Sequence, residues 1–432
     1  MKRSKMTRRK FLANSAVAIS APMVVPSSVL GKGDSTAPSE RIVMGGIAIG
    51  GRGRGDLGWL LRQKDVQFVT VCDVQKRNRL NAKGMVDRTN GNKDCVAYRD
   101  FRELLAERTD LDAVLMAPGD RWHAPMSVLA MQAGLDVYSE KPGSMTVAEG
   151  QAVVRAANRY ARVFQTGTQR MSEAKFVFAT ELARKGFLGK LHTVRAHLWP
   201  RVKDVTYNKR LAPQPEPPKE EVDWDLWLGP VPWRPYNKSY LGGCGAWGIY
   251  SDFGAGVAGW GSHTFVQCQA ALAPECPTPV KYVYPGNSSG DGMAVTFANG
   301  VKLILSFGGW RGSCGVKFEG SEGWTSVADG YARPDVSSPA LLGESDRLTQ
   351  NYAAENKRPF NHLRDFLDCV KTRRSPVADA GVMHRSMTTN HVINACLKLK
   401  RDLEWDPVKE EFVNDEEANR LLSRAYRAPW LA

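Results

Sequence analysis

From residue 41 onward the chain alternates short apolar runs with stretches of helical period. Runs at 41–49, 66–72, 111–116, 135–138 and 162–165 are rich in Val, Ile, Leu and Phe and read as strands buried on both faces. Between them lie 57–61, 74–86, 101–106, 123–134 and 146–160, where apolar residues recur at helical spacing. Strand and helix in alternation predict an α/β domain over 40–165, a doubly wound parallel sheet.

The pattern changes after residue 165. A helix over 172–185 leads into a strand at 191–199. From 201 to 240 proline and tryptophan crowd together, including Pro213, Pro215, Pro217, Pro218, Trp224, Trp227 and Trp233. This predicts a long ordered loop whose aromatic rings either staple the chain or form a wall against a ligand. A helix opens near Trp260-Gly261-Ser262-His263, and strands at 293–297 and 301–307 join across Ala298-Asn299-Gly300 as a hairpin. Further strands fall at 316–319 and 324–327, a polar surface excursion at 329–357, and closing helices at 361–372 and 382–399. Residues 166–400 thus form a second domain, with 401–432 a tail docked on the fold.

Composition adds an address. The 432 residues are 43% hydrophobic and 24% charged, an ordinary globular balance with room for more than one core. The formal net charge is +14, but Lys2, Arg3, Lys5, Arg8, Arg9, Lys10 and Lys32 all precede the first acid, Asp34; without them about +7 remains. Thr7-Arg8-Arg9-Lys10-Phe11-Leu12 followed by a mildly apolar run reads as a twin-arginine (Tat) export signal over 1–33, with a periplasmic destination. Asn14, Ser15, Ser20, Pro22 and Pro26 interrupt the run and leave too little apolar length for a bilayer span, an uncleaved tether being the alternative. No basic stripe survives beyond the signal, which sets nucleic acid aside. Eight cysteines lack C-x-x-C or zinc-ribbon spacing and read as small buried hydrophobes, and no metal site is expected.

The candidate chemistry clusters where predicted strands end. Ala48, Gly50 and Gly53 align with a G-x-G-x-x-G turn between strand and helix, alanine replacing the first glycine, and Gly51 and Arg52 sit inside it. Asp73 ends the second strand 23 residues after Gly50, where a carboxylate accepts a ribose diol. That favours NAD, while Lys76, Arg77 and Arg52 leave NADP open. Pro118, Trp122 and His123 follow the next strand at a helix start whose amides can face a cofactor. In Ser139-Glu140-Lys141-Pro142 the proline keeps Lys141 out of helical geometry at the carboxyl edge of the sheet. His263, flanked by glycine at a helix start, is a candidate acid/base.

These stretches, with Thr166-Gly167-Thr168-Gln169-Arg170, resemble the Gfo/Idh/MocA family from about residue 41 to the end of the chain. The resemblance implies a Rossmann domain followed by an α/β domain with an open, mostly antiparallel sheet that carries the substrate and mediates homo-oligomers. It implies a tightly held nicotinamide cofactor, with Glu140, Lys141 and Gln169 among its contacts, and sugar or polyol substrates. Lys141 matches the family's lysine that binds the reacting hydroxyl. His263 matches its Gly-x-His motif, but the acids usual nearby are replaced by Gly259 and Val266, so Asp252 or Tyr250 is the candidate for the missing polar group.

Three functions follow from this reading. The first is an NAD-dependent dehydrogenase acting on a ring hydroxyl of a sugar or glycoside. The second is a redox-neutral glycosidase that oxidises, eliminates and reduces with a cofactor it never releases. The third is a non-catalytic sugar-binding protein on a dehydrogenase scaffold. Exchanging Arg8 and Arg9 together for lysine should strand the protein in the cytoplasm, and unchanged recovery from the periplasmic fraction would contradict the export signal.

Overall fold

The parallel sheet forms because its strands are apolar on both faces and need helices on each side. In a computed structural model describing residues 36–199, 204–272 and 277–430, it has six strands. They are β1 (Ile42–Ile47), β2 (Val66–Cys72), β3 (Val96–Tyr98), β4 (Ala113–Met116), β5 (Asp136–Ser139) and β6 (Phe164–Thr166). Their spatial order is β3-β2-β1-β4-β5-β6, all parallel, so the order reverses between β1 and β4. A doubly wound sheet opens a ligand crevice at that reversal, outside the carboxyl ends of its strands. The segment 1–33, with the proposed export signal, lies outside the described residues.

The second sheet has nine strands. They are β7 (Leu191–Leu198), β8 (Lys281–Val283), β9 (Ala294–Thr296), β10 (Lys302–Leu305), β11 (Cys314–Gly320), β12 (Trp324–Ala328), β13 (Asp335–Val336), β14 (Leu403–Asp406) and β15 (Glu411–Phe412). The order is β13-β12-β11-β7-β10-β9-β8-β14-β15, antiparallel except where β7 meets β10. Side chains alternate across β7, so Val194, Ala196 and Leu198 enter the core with Leu303, Leu305, Val316 and Phe318. Helices Ala174–Arg184 and Ala258–Ala270 cover this face.

Two features depart from the sequence pattern. Helix His362–Thr372, assigned by sequence to the second domain, inserts Leu363, Phe366 and Leu367 into the core beneath β1 and β2. Helix Ala380–Leu399 packs against both Val147–Arg159 and Ala258–Ala270, so the last helices clamp the two sheets together. The stretch 329–357 is also not a bare excursion, because Ser345–Asn356 is a helix. It buries Leu348 against Phe178 and Leu182, a single apolar anchor too sparse to register as helical period.

The proline- and tryptophan-rich loop folds on its own aromatic cluster. Trp224 and Trp227 stack at 4.7 Å beside Tyr240 and Phe253, and all are buried. Trp122 of the first domain donates to the Leu226 carbonyl at 3.0 Å, and Trp430 of the tail meets Trp122 edge-on at 4.9 Å. These rings are staples, although Trp233 stays 55% exposed. Gly229 sits at φ +62°, and a Cβ there would come within 2.3 Å of the Trp122 ring. Gly229→Ala should therefore destabilise the protein by at least about 2 kcal/mol, from the left-handed backbone and overpacking together. A urea midpoint unmoved by this substitution would show that the loop does not dock as described.

Candidate active site at the carboxyl edge of the parallel sheet

The turn after β1 is built from four small residues with different tasks. Ala48 takes φ +58°, a left-handed conformation that suits glycine and costs an alanine about 1 kcal/mol. Its N–H donates to the Cys72 carbonyl at 2.7 Å, and its own carbonyl accepts from Gly50 at 2.9 Å. Gly50 caps helix Gly51–Leu60 without a capping side chain, and a Cβ on Gly51 would meet nothing within 4 Å. At Gly53 a Cβ would press against Ala117 at 2.9 Å, so this glycine lets the helix lie close on the end of β4. Arg52 points across the turn.

Asp73 follows β2 and is buried, accepting from the Gln75 N–H at 2.8 Å. Burial lifts its carboxyl to about 7, against the opposing pull of the Gln75 N–H, the Asn78 amide and Arg79. A bare helix N-terminus, an open glycine and a carboxylate on the neighbouring strand fit the phosphates and ribose of a dinucleotide. Among the described residues no group of three or more His, Cys, Asp and Glu side chains could hold a metal ion.

Beyond β5 lies a charged cluster. Arg52 bonds Glu140 at 3.2 Å and Asp56 at 2.8 Å, and Gln169 donates to Glu140 at 2.5 Å and to the Tyr138 hydroxyl at 3.1 Å. Burial, then the charge of Glu140, pushes Asp56 to about 8 despite Arg52. Gly167 is required here, because a Cβ would collide with the Glu140 carboxylate at 2.5 Å. Lys141 is half-buried, and its Nζ donates to the Gly259 carbonyl at 2.8 Å, 5.4 Å from the centre of the Trp260 ring.

His263 sits on helix Ala258–Ala270, in its second turn and not at its start. The glycines at 254, 256, 259 and 261 make this stretch read as a turn, but Gly261 serves a close helix contact. A Cβ there would lie 2.3 Å from the Asn390 side chain. His263 is 3% exposed; Nε2 lies 3.5 Å from Arg170 Nη1, and Nδ1 has no hydrogen-bond partner among the described residues. Burial, then Arg170 and Lys141, holds its pKa well below the usual imidazole range, so the ring is neutral.

Other sequence candidates face elsewhere. His123 is buried, its Nδ1 2.8 Å from the Ser139 hydroxyl and its ring also bonded to the Pro118 carbonyl, and burial drops its pKa to about 3. Trp122 spends its N–H on Leu226. Both side chains therefore serve the joint between strand ends and loop, beside the edge where the sequence places a cofactor. Asp252 pairs with Arg234, and Tyr250 packs against Tyr240 and Phe253 in the aromatic cluster. That pairing leaves neither placed as the polar partner of His263. Sequence reasoning missed the residue that is there, Arg170, held by Asp329 through two 2.9 Å bonds. Arg170 stood in the quoted Thr-Gly-Thr-Gln-Arg stretch; Asp329 was hidden in the supposed excursion.

Comparison with known proteins matches both halves. Residues 41–168 match an oxidoreductase family's NAD-binding Rossmann fold, and 204–432 match an oxidoreductase family's C-terminal alpha/beta domain. A Glycosyl hydrolase family 109 protein of Stenotrophomonas maltophilia is 27% identical over 239 residues, 53% of this chain and 48% of that protein. The match thus spans about half the length of this curated relative. Among solved structures, aldose-aldose oxidoreductase from Caulobacter crescentus, complexed with glycerol, superposes with TM-score 0.54 at 14% identity, covering 84% of this chain and 99% of that one. Myo-inositol 2-dehydrogenase from Lactobacillus plantarum superposes with TM-score 0.55 at 15% identity and the same coverages. At these identities the likeness is one of fold.

Asp73 generates a pH dependence. Its folded value, about 7, exceeds the ordinary 3.8, so the ionised carboxylate weakens the cofactor-free fold above pH 7, and that penalty fades as pH falls toward 4. A ribose diol donates to the ionised form. Affinity for NAD should therefore fall as pH drops below 7, by up to about tenfold per pH unit. Asp73→Asn should bind weakly and lose this slope, as measured by fluorescence titration from pH 5 to 8.

Proposed function

The chain belongs to the Gfo/Idh/MocA oxidoreductase family, and on that premise we propose that it oxidises a ring hydroxyl of a sugar or glycoside with a tightly held NAD. The observation that carries the proposal is the approach of Lys141 and His263 from different domains onto one sheet edge. Its N-terminal domain is the family's NAD-binding Rossmann fold. The glycine turn after β1 would take the pyrophosphate and Asp73 the ribose, while Glu140 and Gln169 line the approach to Lys141. The bound nicotinamide supplies a hydride acceptor. Lys141 Nζ would leave the Gly259 carbonyl to meet the reacting hydroxyl and help move its proton. His263, neutral and buried, would hold the same oxygen.

We place the mature protein in the periplasm, on the twin-arginine pattern of residues 7–12, loaded with its cofactor before export. The outer face of the nine-stranded sheet, with Arg195, Lys317, Glu319 and Trp324, is the proposed contact between subunits.

A second reading has specific support. The curated relative named a glycosyl hydrolase favours redox-neutral cleavage, in which a transient ketone acidifies the neighbouring C–H and allows a glycoside to leave. The acids near Lys141 and His263 favour this over direct hydrolysis, because Glu140 and Asp329 are each engaged by arginine rather than free as a carboxylate pair. Adding a panel of glycosides to the holoprotein separates the readings. A lasting rise in reduced-nicotinamide absorbance marks net oxidation, a transient rise with release of the leaving group marks cleavage, and no change across the panel would leave only a binding scaffold. Lys141→Met should lower turnover more than about 100-fold while retaining cofactor. Near-normal turnover in that variant would overturn the assignment of Lys141.

A further inference from the structure

We propose that Arg170, locked by Asp329, is a positioning residue that holds His263 as the tautomer protonated on Nδ1, so that His263 donates a hydrogen bond to a substrate oxygen. The assignment deepens the oxidoreductase reading above and rests on it for the identity of the oxygen.

The guanidinium of Arg170 is held along one edge. Nε and Nη2 are both spent on the two oxygens of Asp329, each at 2.9 Å. Asp329 is itself held by the Ser313 hydroxyl at 2.6 Å and the Cys314 thiol at 3.2 Å. A guanidinium gripped along one edge has little freedom to rotate, so its remaining nitrogen, Nη1, keeps its aim at His263 Nε2.

Donor and acceptor chemistry then settles the imidazole. A guanidinium has five N–H donors and no acceptor, whereas a neutral imidazole has one nitrogen of each kind. At 3.5 Å the bond is long, but the group at Nε2 can only donate, so a proton on Nε2 would face an N–H of a cation. Nε2 is therefore the acceptor, and the proton belongs on Nδ1. The neighbour of one ring nitrogen sets the state of the other.

Nδ1 supplies the second, independent observation. It is fully buried and has no hydrogen-bond partner among the described residues. A buried N–H left unpaired in the resting protein is a group waiting for an acceptor. Lys141 lies near enough for its charge to act on His263, and its Nζ rests on the carbonyl of Gly259, one helical turn before His263. The protons then balance without His263 changing state. A bound nicotinamide would supply the hydride acceptor, half-buried Lys141 would relay the hydroxyl proton to solvent, and Nδ1–H would support the oxygen throughout.

The test reads the tautomer directly. In holoprotein carrying ring-15N histidine, with His263→Asn to assign the signal, His263 should show a protonated Nδ1 and a bare Nε2. Arg170→Met should move population toward the Nε2-protonated form, leave cofactor content unchanged and lower kcat about 10–100-fold. Arg170→Lys, which keeps a donor, should restore the tautomer and most of kcat. Should Arg170→Met fail to fold, Asp329→Asn, which loosens the fork, should shift the tautomer in the same direction. A wild-type His263 protonated on Nε2, or a tautomer unmoved in folded Arg170→Met, would overturn the proposal. A holoprotein that shows Nδ1–H but turns over no glycoside would remove the enzymatic reading and leave the assignment of Arg170 standing.

Discussion

The hydrogen bond from Lys141 Nζ to the Gly259 carbonyl joins two cores that otherwise fold on different principles. One end lies past the fifth strand of a parallel sheet, the other in the first turn of a helix that covers an antiparallel one. Gly259 and His263 are four residues apart on that helix, so they share a face. Fixing Gly259 beside Lys141 therefore also brings His263 there. Gly261, on the same helix, allows the close approach to Asn390 that keeps the helix in place.

Around this junction the charges are arranged so that none is left alone. Arg52 bridges Asp56 and Glu140, Asp329 engages Arg170, and Gln169 crosses between Glu140 and Tyr138. Burying carboxylates without such partners would be prohibitively costly, and the upward shift at Asp56 shows the strain that remains. Burial, aided by Arg170 and Lys141, keeps His263 neutral, which allows it to act as a hydrogen-bonding group rather than a fixed charge.

The aromatic loop solves a different problem. A stretch with so many prolines cannot form sheet or long helix, so its backbone is held by stacked rings and by Trp122, Gly229 and Trp430 at the seam with the first domain. This use of Trp122, together with the bonds of His123 to Ser139 and Pro118, ties loop and strand ends together at the ligand edge. A residue at a helix start can serve either purpose, and only its three-dimensional neighbours distinguish them.

Sequence alone determined the order of elements, the doubly wound sheet, the glycine turn, Asp73 and the place of Lys141. Each depends on local period or on backbone conformations that few residues tolerate. The start of the helix around His263 was obscured because Gly261 answers to a neighbouring helix. Asp329 was obscured because it follows the strand Trp324–Ala328 and opens a polar stretch with no period of its own. The partnership of Arg170, Asp329 and His263 joins residues 93 and 159 positions apart, and no periodicity encodes such a contact. Tertiary structure decided it, because a tautomer is set by which atom lies against which nitrogen, and that is known only once the chain has closed on itself.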